Sequence, residues 1–596
     1  MQTADQHQAN LGRNLESLRS VDPDLADRIQ TCPLPNDLQP AETFDGCDSF
    51  RADSLSDSGW FAHTSMPAVR EEALVDQFEH GGSNVLLPGS GHGYAIRELL
   101  ERLGRHNTVY VWETRTIHLA LLLRLYDFAA DLATRRLALM LGDDLEKTLG
   151  DFFVNHPRMT PPAKMISWPW LSPNQVHQYF QHVEAAVARI GQVRSDLLKN
   201  ARAKVEAMTA EPTQPLRVFV CSMAARPAMH QVALDLAWGF DRLGYRCQTL
   251  LMDQPEHGSA LALADAIADF RPHRCASVGL ARHDLTVRPP DAMPFASILG
   301  LPGMKLSPAL VEHLHPGPRE TFFAFGDNLD ELRDKFPSVQ IEPLQPAVNE
   351  DTFRPLNENE IEPHRRADVL VFADVDSLDP AAFGVTQESH KTLCRHLQAA
   401  VEASPLAYRE SEAENLLTRV SRHAGIELDD QDLFRAFADL LIRQIGPTAS
   451  AVAVVRHLTR ANLNVAILGS GWNKYPEFAP LARQAPDDPA DVNRTINAAA
   501  LVLCLEHRTN WRPHVLNALC AARPVALKRL PNDKLTAVEA LRGATVELHQ
   551  QDPAQTIRKA LREANTLQPK SLAARNYLAN HHSYRQLAQT ILDGTA

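Results

Sequence analysis

The sequence predicts an α/β protein made of three Rossmann-like units. Three stretches carry that prediction. A strand, glycine turn and helix follow one another in NVLLPGSGHGYAIRELLERLG (Asn84–Gly104). A second strand–helix–strand run opens at Arg217, after the linker EPTQP (Glu211–Pro215). A third opens at Ala367 and holds a second glycine turn in NVAILGSGWNKYPEF (Asn464–Phe478). Short apolar runs that stop at turns and resume as amphipathic helices build parallel sheets covered on both faces.

The chain has 596 residues, more than one ordinary core accommodates, so three domains are expected. With 44% apolar and 22% charged residues it has the balance of a globular protein. No apolar run approaches a membrane span and the first residues carry no signal-peptide core, so a cytoplasmic protein without a transmembrane segment is expected. A net charge of −13 argues against a nucleic-acid partner. The eight cysteines are scattered from Cys32 to Cys520 without a C-x-x-C pair. They read as buried free thiols, and no metal site is expected.

Residues 1–80 read as a helical and loop-rich lead-in, helical over Arg13–Ile29 and broken by Pro33, Pro35 and Pro40. Residues 81–210 form the first unit. Gly89, Gly91 and Gly93 make its turn, Ile96, Leu99, Leu100 and Leu103 share one helix face, and Glu113 ends the next strand. Glycines for close approach, with an acid about 20 residues on for ribose hydroxyls, is an arrangement that binds a nucleoside. Two uses stay open: a tight turn alone, or a site for a nucleotide or S-adenosylmethionine. The proline- and tryptophan-rich stretch His156–Pro173 reads as a wrapped loop with buried tryptophans, with a pocket of His156, Arg158, Lys164, Trp168 and Trp170 as the alternative. A long helix over Tyr179–Met208 connects to the next domain.

Residues 215–355 form the second unit. Its strands are expected at Arg217–Cys221, Cys247–Met252, Cys275–Leu280, Phe295–Leu299, Thr321–Asn328 and Ser338–Leu344, with the Ser222–Pro227 loop at its crevice. Residues 356–596 form the third, with a helical insertion over about 386–460. Within it, Val465–Leu468 is a strand ending at Gly469-Ser470-Gly471, and Leu501–Leu505 is another. Pro513 then opens a helix with Val515, Leu516, Leu519 and Cys520 on one face. Such units turn backbone N–H groups and a helix N-terminus toward a crevice at the strand ends, a favourable place for a diphosphate.

In that order, G-x-G-W followed by R-x-x-x-x-(E)-A-L-x-(C/A)-x-x-P-V resembles the nucleotide-sugar half of two-domain (GT-B) glycosyltransferases, most of all the spore-maturation or CgeB-like group. LQPAVNEDTFRPL (Leu344–Leu356) resembles the interdomain segment of that fold, and NYLANHHSYRQLAQTIL (Asn576–Leu592) its closing helix. The resemblance covers about 215–596. The N-terminal G-x-G-x-G element resembles S-adenosylmethionine methyltransferases and the Rossmann-like region of motility-associated (Maf-type) flagellin glycosyltransferases.

The resemblance implies a GT-B-type pair with an interdomain cleft, 215–355 as the acceptor half and 356–596 as the nucleotide-sugar half. It implies a glycosyltransferase that moves a sugar from a nucleotide-diphosphate donor to a glycan, protein or small-molecule acceptor and requires no metal. Gly469 and Gly471 then permit close approach, Trp472 stacks on the base, and Lys474 and Arg512 face the diphosphate. A cation at a helix N-terminus, such as Arg512, is unfavourable unless an anion sits there. Asn517 stands where the family has a glutamate, Ala522 in Ala521-Ala522-Arg523-Pro524 where it has a glycine, and Gly300 where it often has an acid. These departures also suit a catalytically silent GT-B-like protein that binds a nucleotide sugar or a partner. A methyltransferase working through the N-terminal unit is the remaining alternative. No catalytic residue is designated by sequence.

Overall fold

The computed structural model describes residues 4–76, 83–208, 215–223, 227–301, 314–428, 430–483, 488–505, 507, 511–530, 533–548 and 552–595. Most of the linker at 211–215, the loop at 224–226 and the end of the 300–303 turn lie outside the described residues.

Described residues within 4–76 share a hydrophobic core with the helices of the first sheet. Helices Ala4–Val21 and Pro23–Gln30 put Leu11, Leu15, Leu18, Leu25 and Ile29 into one core with Leu119–Leu125. Asn14 locks them there: its amide donates to Leu123 O at 2.8 Å and Tyr126 O at 2.7 Å, and its oxygen accepts from Phe128 N at 2.8 Å. An antiparallel hairpin of β1 (Gln39–Glu42) and β2 (Asp48–Arg51) follows, then a helix, Pro67–Asp76, against the helix Tyr94–Arg102.

The first parallel sheet comprises β3 (Val85–Pro88), β4 (Val109–Glu113), β5 (Leu137–Leu141) and β6 (Lys164–Met165), in the order β5-β4-β3-β6. Every residue of β3 and β4 is buried, as strands covered on both faces must be. The helix Pro173–Glu206 then carries the chain to the second domain, opened by a capping box on Ser172 and Gln175.

The second sheet comprises β7 (Arg217–Ser222), β8 (Arg246–Leu251), β9 (Arg274–Val278), β10 (Phe295–Leu299), β11 (Glu320–Phe325) and β12 (Ile341–Leu344), in the order β12-β11-β10-β9-β7-β8. The third comprises β13 (Ala367–Phe372), β14 (Val465–Leu468), β15 (Ala482–Arg483), β16 (Ala499–Cys504), β17 (Val525–Leu527) and β18 (Thr545–Glu547), in the order β15-β14-β13-β16-β17-β18. All pairings in these three sheets are parallel. The chain is thus α/β with three Rossmann-like sheets, and the last two are separate, as a GT-B-type pair requires.

Two chain segments join that pair. Val348 N donates to His582 O at 2.8 Å, and Tyr584 N donates to Val348 O at 3.2 Å. The last helix, Tyr584–Gly594, then packs Leu587, Ala588, Ile591 and Leu592 into the core of the second sheet. It follows the third sheet in sequence but is buried with the second. Between β13 and β14 the chain forms helices Glu388–Ala403, Ala413–Ala424, Gln431–Leu440 and Gly446–Arg460, with a hydrophobic core around Leu393, Leu397, Leu417 and Phe437. No helix among the described residues is long and apolar enough to cross a membrane.

Candidate functional site

The third sheet runs 3-2-1-4-5-6 in chain order, so the strand order reverses between β13 and β16. Ligands of open α/β sheets bind outside the carboxyl ends of the strands at such a reversal. Two loops and the start of a helix come together there. The loop after β13 lies in the middle. Ala373 N bonds to Leu468 O at 3.3 Å and Val375 N to Ser470 O at 3.0 Å, which ties it to the glycine turn after β14. On its other side Phe372 stacks on His514 at 5.3 Å, which brings in the first turn of the helix Pro513–Cys520 after β16. The glycine turn after β14 is thus bonded to the loop Ala373–Ser377, and His514, on the helix that also carries Asn517, packs on the end of β13.

The glycines open space for protein rather than for a ligand. Gly471 has φ +82°, the left-handed region, and a Cβ there would collide with Val375 O; one on Gly469 would collide with Ala373 O. Trp472 is 1% exposed, donates its indole N–H to Ala373 O at 2.7 Å and lies edge-on to Phe478 in the core. A base-stacking role for Trp472 therefore fails here: apolar burial and a satisfied N–H hold the ring beneath the turn.

Lys474, just after the glycine turn, is half-exposed, with Nζ 2.6 Å from Asp376 Oδ1. That hydrogen bond, followed by one from Ser377 N, holds the Asp376 carboxyl below its ordinary range. Asp374 accepts from Ser470 N at 2.7 Å and Ser470 Oγ at 2.9 Å. Both acids escaped the sequence reading, although ADVDS (Ala373–Ser377) at a strand end displays them. Arg512 is the N-cap residue of the helix Pro513–Cys520, with extended backbone and no side-chain cap. Asn517 is half-buried on that helix, whose Val515, Leu516, Leu519 and Cys520 are fully buried, as their spacing predicts. Ala522 takes φ +54°, the conformation the family's glycine would suit.

Lys528, at the end of β17, was not singled out by sequence. It is 1% exposed, donates to Tyr408 O in the insertion and lies 2.8 Å from His507 Nδ1. Burial first, then the charge of Arg409, pushes its ammonium down to about 7. It anchors the insertion to the third sheet beside the crevice.

In the N-terminal unit the structure brings Glu113 to the glycine turn: Ser90 N donates to its Oε2 at 3.1 Å. The carboxylate is 6% exposed, and protein groups already use both oxygens. Thr114 N and Arg115 N donate to Oε1 at 2.9 and 3.3 Å, and His118 Nδ1 lies 3.2 Å from Oε2. Burial alone would raise its pKa; the bond and charge of His118 with the Ser90 and Arg115 amides outweigh this and hold it low. The turn itself is plugged. Glu71, from the helix Pro67–Asp76, accepts from His92 N at 2.6 Å and Ala95 N at 2.8 Å. Gly91 has φ +57°, and a Cβ on it would strike the Trp168 ring. Trp168 is 2% exposed and donates to Gly89 O at 3.0 Å. Glu71, 20 residues upstream and outside any motif, had no legible signal.

No family model matches the chain, and no curated protein matches it. Among solved structures, sucrose-phosphate synthase from Thermosynechococcus elongatus is similar at 9% identity over 63% of this chain and 98% of that one, with a TM-score of 0.34. The glycosyltransferase SnogD from Streptomyces nogalater is similar at 12% identity over 64% and 100%, with a TM-score of 0.28. The Maf glycosyltransferase from Magnetospirillum magneticum AMB-1 is similar at 12% identity over 83% and 96%, with a TM-score of 0.24. The fold assignment itself rests on the strand orders and on the pairing of the last two sheets.

Proposed function

We propose that the chain is a glycosyltransferase whose nucleotide-diphosphate sugar donor lies at the carboxyl ends of β13, β14 and β16. The observation that carries the reading is the strand reversal between β13 and β16, with the N-terminus of the helix Pro513–Cys520 and its N-cap Arg512 beside it. In the transfer an acceptor hydroxyl attacks the anomeric carbon and gives its proton to water or to the departing diphosphate, the bond from that carbon to the diphosphate breaks, and the nucleoside diphosphate leaves with the negative charge. Arg512, Lys474 and the helix amides oppose that charge without a metal. Lys474 must first leave Asp376, and an exposed pair of this kind is worth only about 0–1 kcal/mol. Asn517 hydrogen-bonds the ribose hydroxyls as a neutral group. The acceptor, a glycan, protein or small molecule, approaches from the second sheet across the cleft, and the reaction takes place in the cytoplasm.

Calorimetry with UDP-, GDP- and ADP-sugars tests the donor. Arg512→Ala is expected to weaken binding by roughly 1.5–3 kcal/mol, the loss of a charged hydrogen bond. Asn517→Glu is expected to keep or improve it. Unchanged affinity in Arg512→Ala removes the donor site from this helix. The silent-binder reading is favoured by one observation: the Ser470 amide and Lys474 are already held by Asp374 and Asp376. Donor binding without sugar release or transfer to any acceptor decides for it.

A further inference from the structure

The helices between β13 and β14 reach back to the third sheet at two places. Thr448, 3% exposed on the helix Gly446–Arg460, accepts from Asp376 N at 3.1 Å and so holds the loop after β13. The second contact is made by Tyr408, between the helices Glu388–Ala403 and Ala413–Ala424. Tyr408 is buried and fixed among those helices. Its hydroxyl donates to Leu441 O at 3.1 Å, and a Cβ on Gly446 would strike its ring.

From that fixed point Tyr408 and its neighbours meet the chain just beyond β16 and β17. The Tyr408 carbonyl accepts from Lys528 Nζ, and the Tyr408 ring lies 5.2 Å from that of His507. Lys528 Nζ is 2.8 Å from His507 Nδ1. Glu410 N donates to His507 O at 3.5 Å, and Arg409 donates to Arg529 O at 2.5 Å. His507 is thus held at its ring, its Nδ1 and its carbonyl. It belongs to the connection from β16 to the helix Pro513–Cys520, whose N-cap is Arg512.

A lysine is a costly occupant of this place. Burial and the charge of Arg409 both work against its ammonium, and an apolar side chain of similar length would avoid that penalty. What the ammonium adds is direction, because it joins Tyr408 O and His507 Nδ1 at once and fixes the one relative to the other.

We propose that Lys528 is a positioning residue for donor binding: by tying His507 to Tyr408 it sets the connection that carries Arg512 to the diphosphate. This rests on the donor site assigned above.

The test is calorimetry with UDP, GDP and ADP on the full chain, beside urea denaturation of each protein. The proteins are the wild type, Arg512→Ala, Lys528→Met, His507→Phe and the double variant of the last two. Lys528→Met keeps the stem and removes the ammonium. His507→Phe keeps a ring against Tyr408 and removes the nitrogen. Each of these two is expected to weaken the diphosphate that binds the wild type by roughly tenfold, on the scale that packed networks transmit. The double variant is expected to lose no more than one single variant does, since both cut the same contact. The urea midpoint of Lys528→Met is expected to hold or rise, because methionine needs no partner there. A merely structural residue would instead lose midpoint and affinity together. A Lys528→Met chain that does not fold leaves the decision to His507→Phe. Unchanged affinity in either folded single variant, additive losses in the double variant, or a loss of affinity matched by a fall in midpoint overturns the proposal. Failure of the donor site itself reads differently: no diphosphate binds the wild type, or Arg512→Ala binds it equally well, and the proposal then falls with that site.

Discussion

The glycine turns at Gly89–Gly93 and Gly469–Gly471 look alike in sequence and differ in how they are filled. Each follows a buried parallel strand, and in each a carboxylate takes an amide that a phosphate could take: Glu71 at His92 and Ala95, Asp374 at Ser470. In each a buried tryptophan packs beneath or over the turn. At the first turn the carboxylate is 1% exposed and sealed under Trp168; at the second Asp374 is exposed and the Lys474–Asp376 pair half-exposed. A buried carboxylate on helix amides is part of the core, whereas an exposed one can be exchanged for a ligand at little cost. The glycines alone do not distinguish a closed turn from an open one. The neighbouring side chains do.

The largest expected effect tests the feature the two turns share. Trp168→Ala and Trp472→Ala each empty a core site, and each is expected to lower stability by about 3–5 kcal/mol in urea denaturation. If Trp472→Ala left stability untouched while abolishing donor binding, the ring would be a stacking platform after all and the likeness between the turns would break.

The next effect tests the difference. Burial pushes the Glu71 carboxyl up from 4.5 to about 7, against the pull of the His92 and Ala95 amides. The native state then holds a proton that the unfolded chain has already released between about pH 4.5 and 7, so this group makes stability fall as pH rises through that window. The full span is roughly 3 kcal/mol. His92 has the opposite slope, since burial pushes its ring down to about 4. The measurement is therefore a difference: relative to Glu71→Gln, the wild type is expected to lose roughly 3 kcal/mol between pH 4.5 and 8. Parallel curves for the two proteins would mean that Glu71 is not sealed, and the two turns would then be of one kind.

Much of the fold was legible because its strands are buried on both faces and stop at turns. Val85–Pro88, Phe295–Leu299 and Val465–Leu468 announce themselves as apolar runs. The two-residue edge strands at Lys164–Met165 and Ala482–Arg483 are too short to carry a period. The first 80 residues looked weakly patterned because their fixing contacts, such as Asn14 to Leu123 and Phe128, are long-range and polar. In the candidate site, the helix opened by Pro513 was readable from its apolar face. Glu71, His507 and Lys528 were not, because what gives them significance is burial beside distant residues, and local spacing does not encode it.

The smallest stability effect belongs to the open turn and bears most directly on function. Asp376 is half-exposed, and its partners are Lys474 Nζ and Ser377 N, with its own amide on Thr448 Oγ1. Asp376→Ala removes a surface ion pair, so stability is expected to change by no more than about 1 kcal/mol. The same substitution releases Lys474 and deletes a negative charge beside the proposed diphosphate. Donor affinity is therefore expected to rise, and to rise more at low salt than at high salt, because an exposed charge is screened. Calorimetry of UDP binding at two ionic strengths, with urea denaturation of the same variant, reads both quantities. A loss of several kcal/mol in stability would show that Asp376 is as locked as Glu71. A fall in UDP affinity would instead assign the carboxylate to donor binding. Either result removes the picture of Lys474 as a cation waiting at an open crevice.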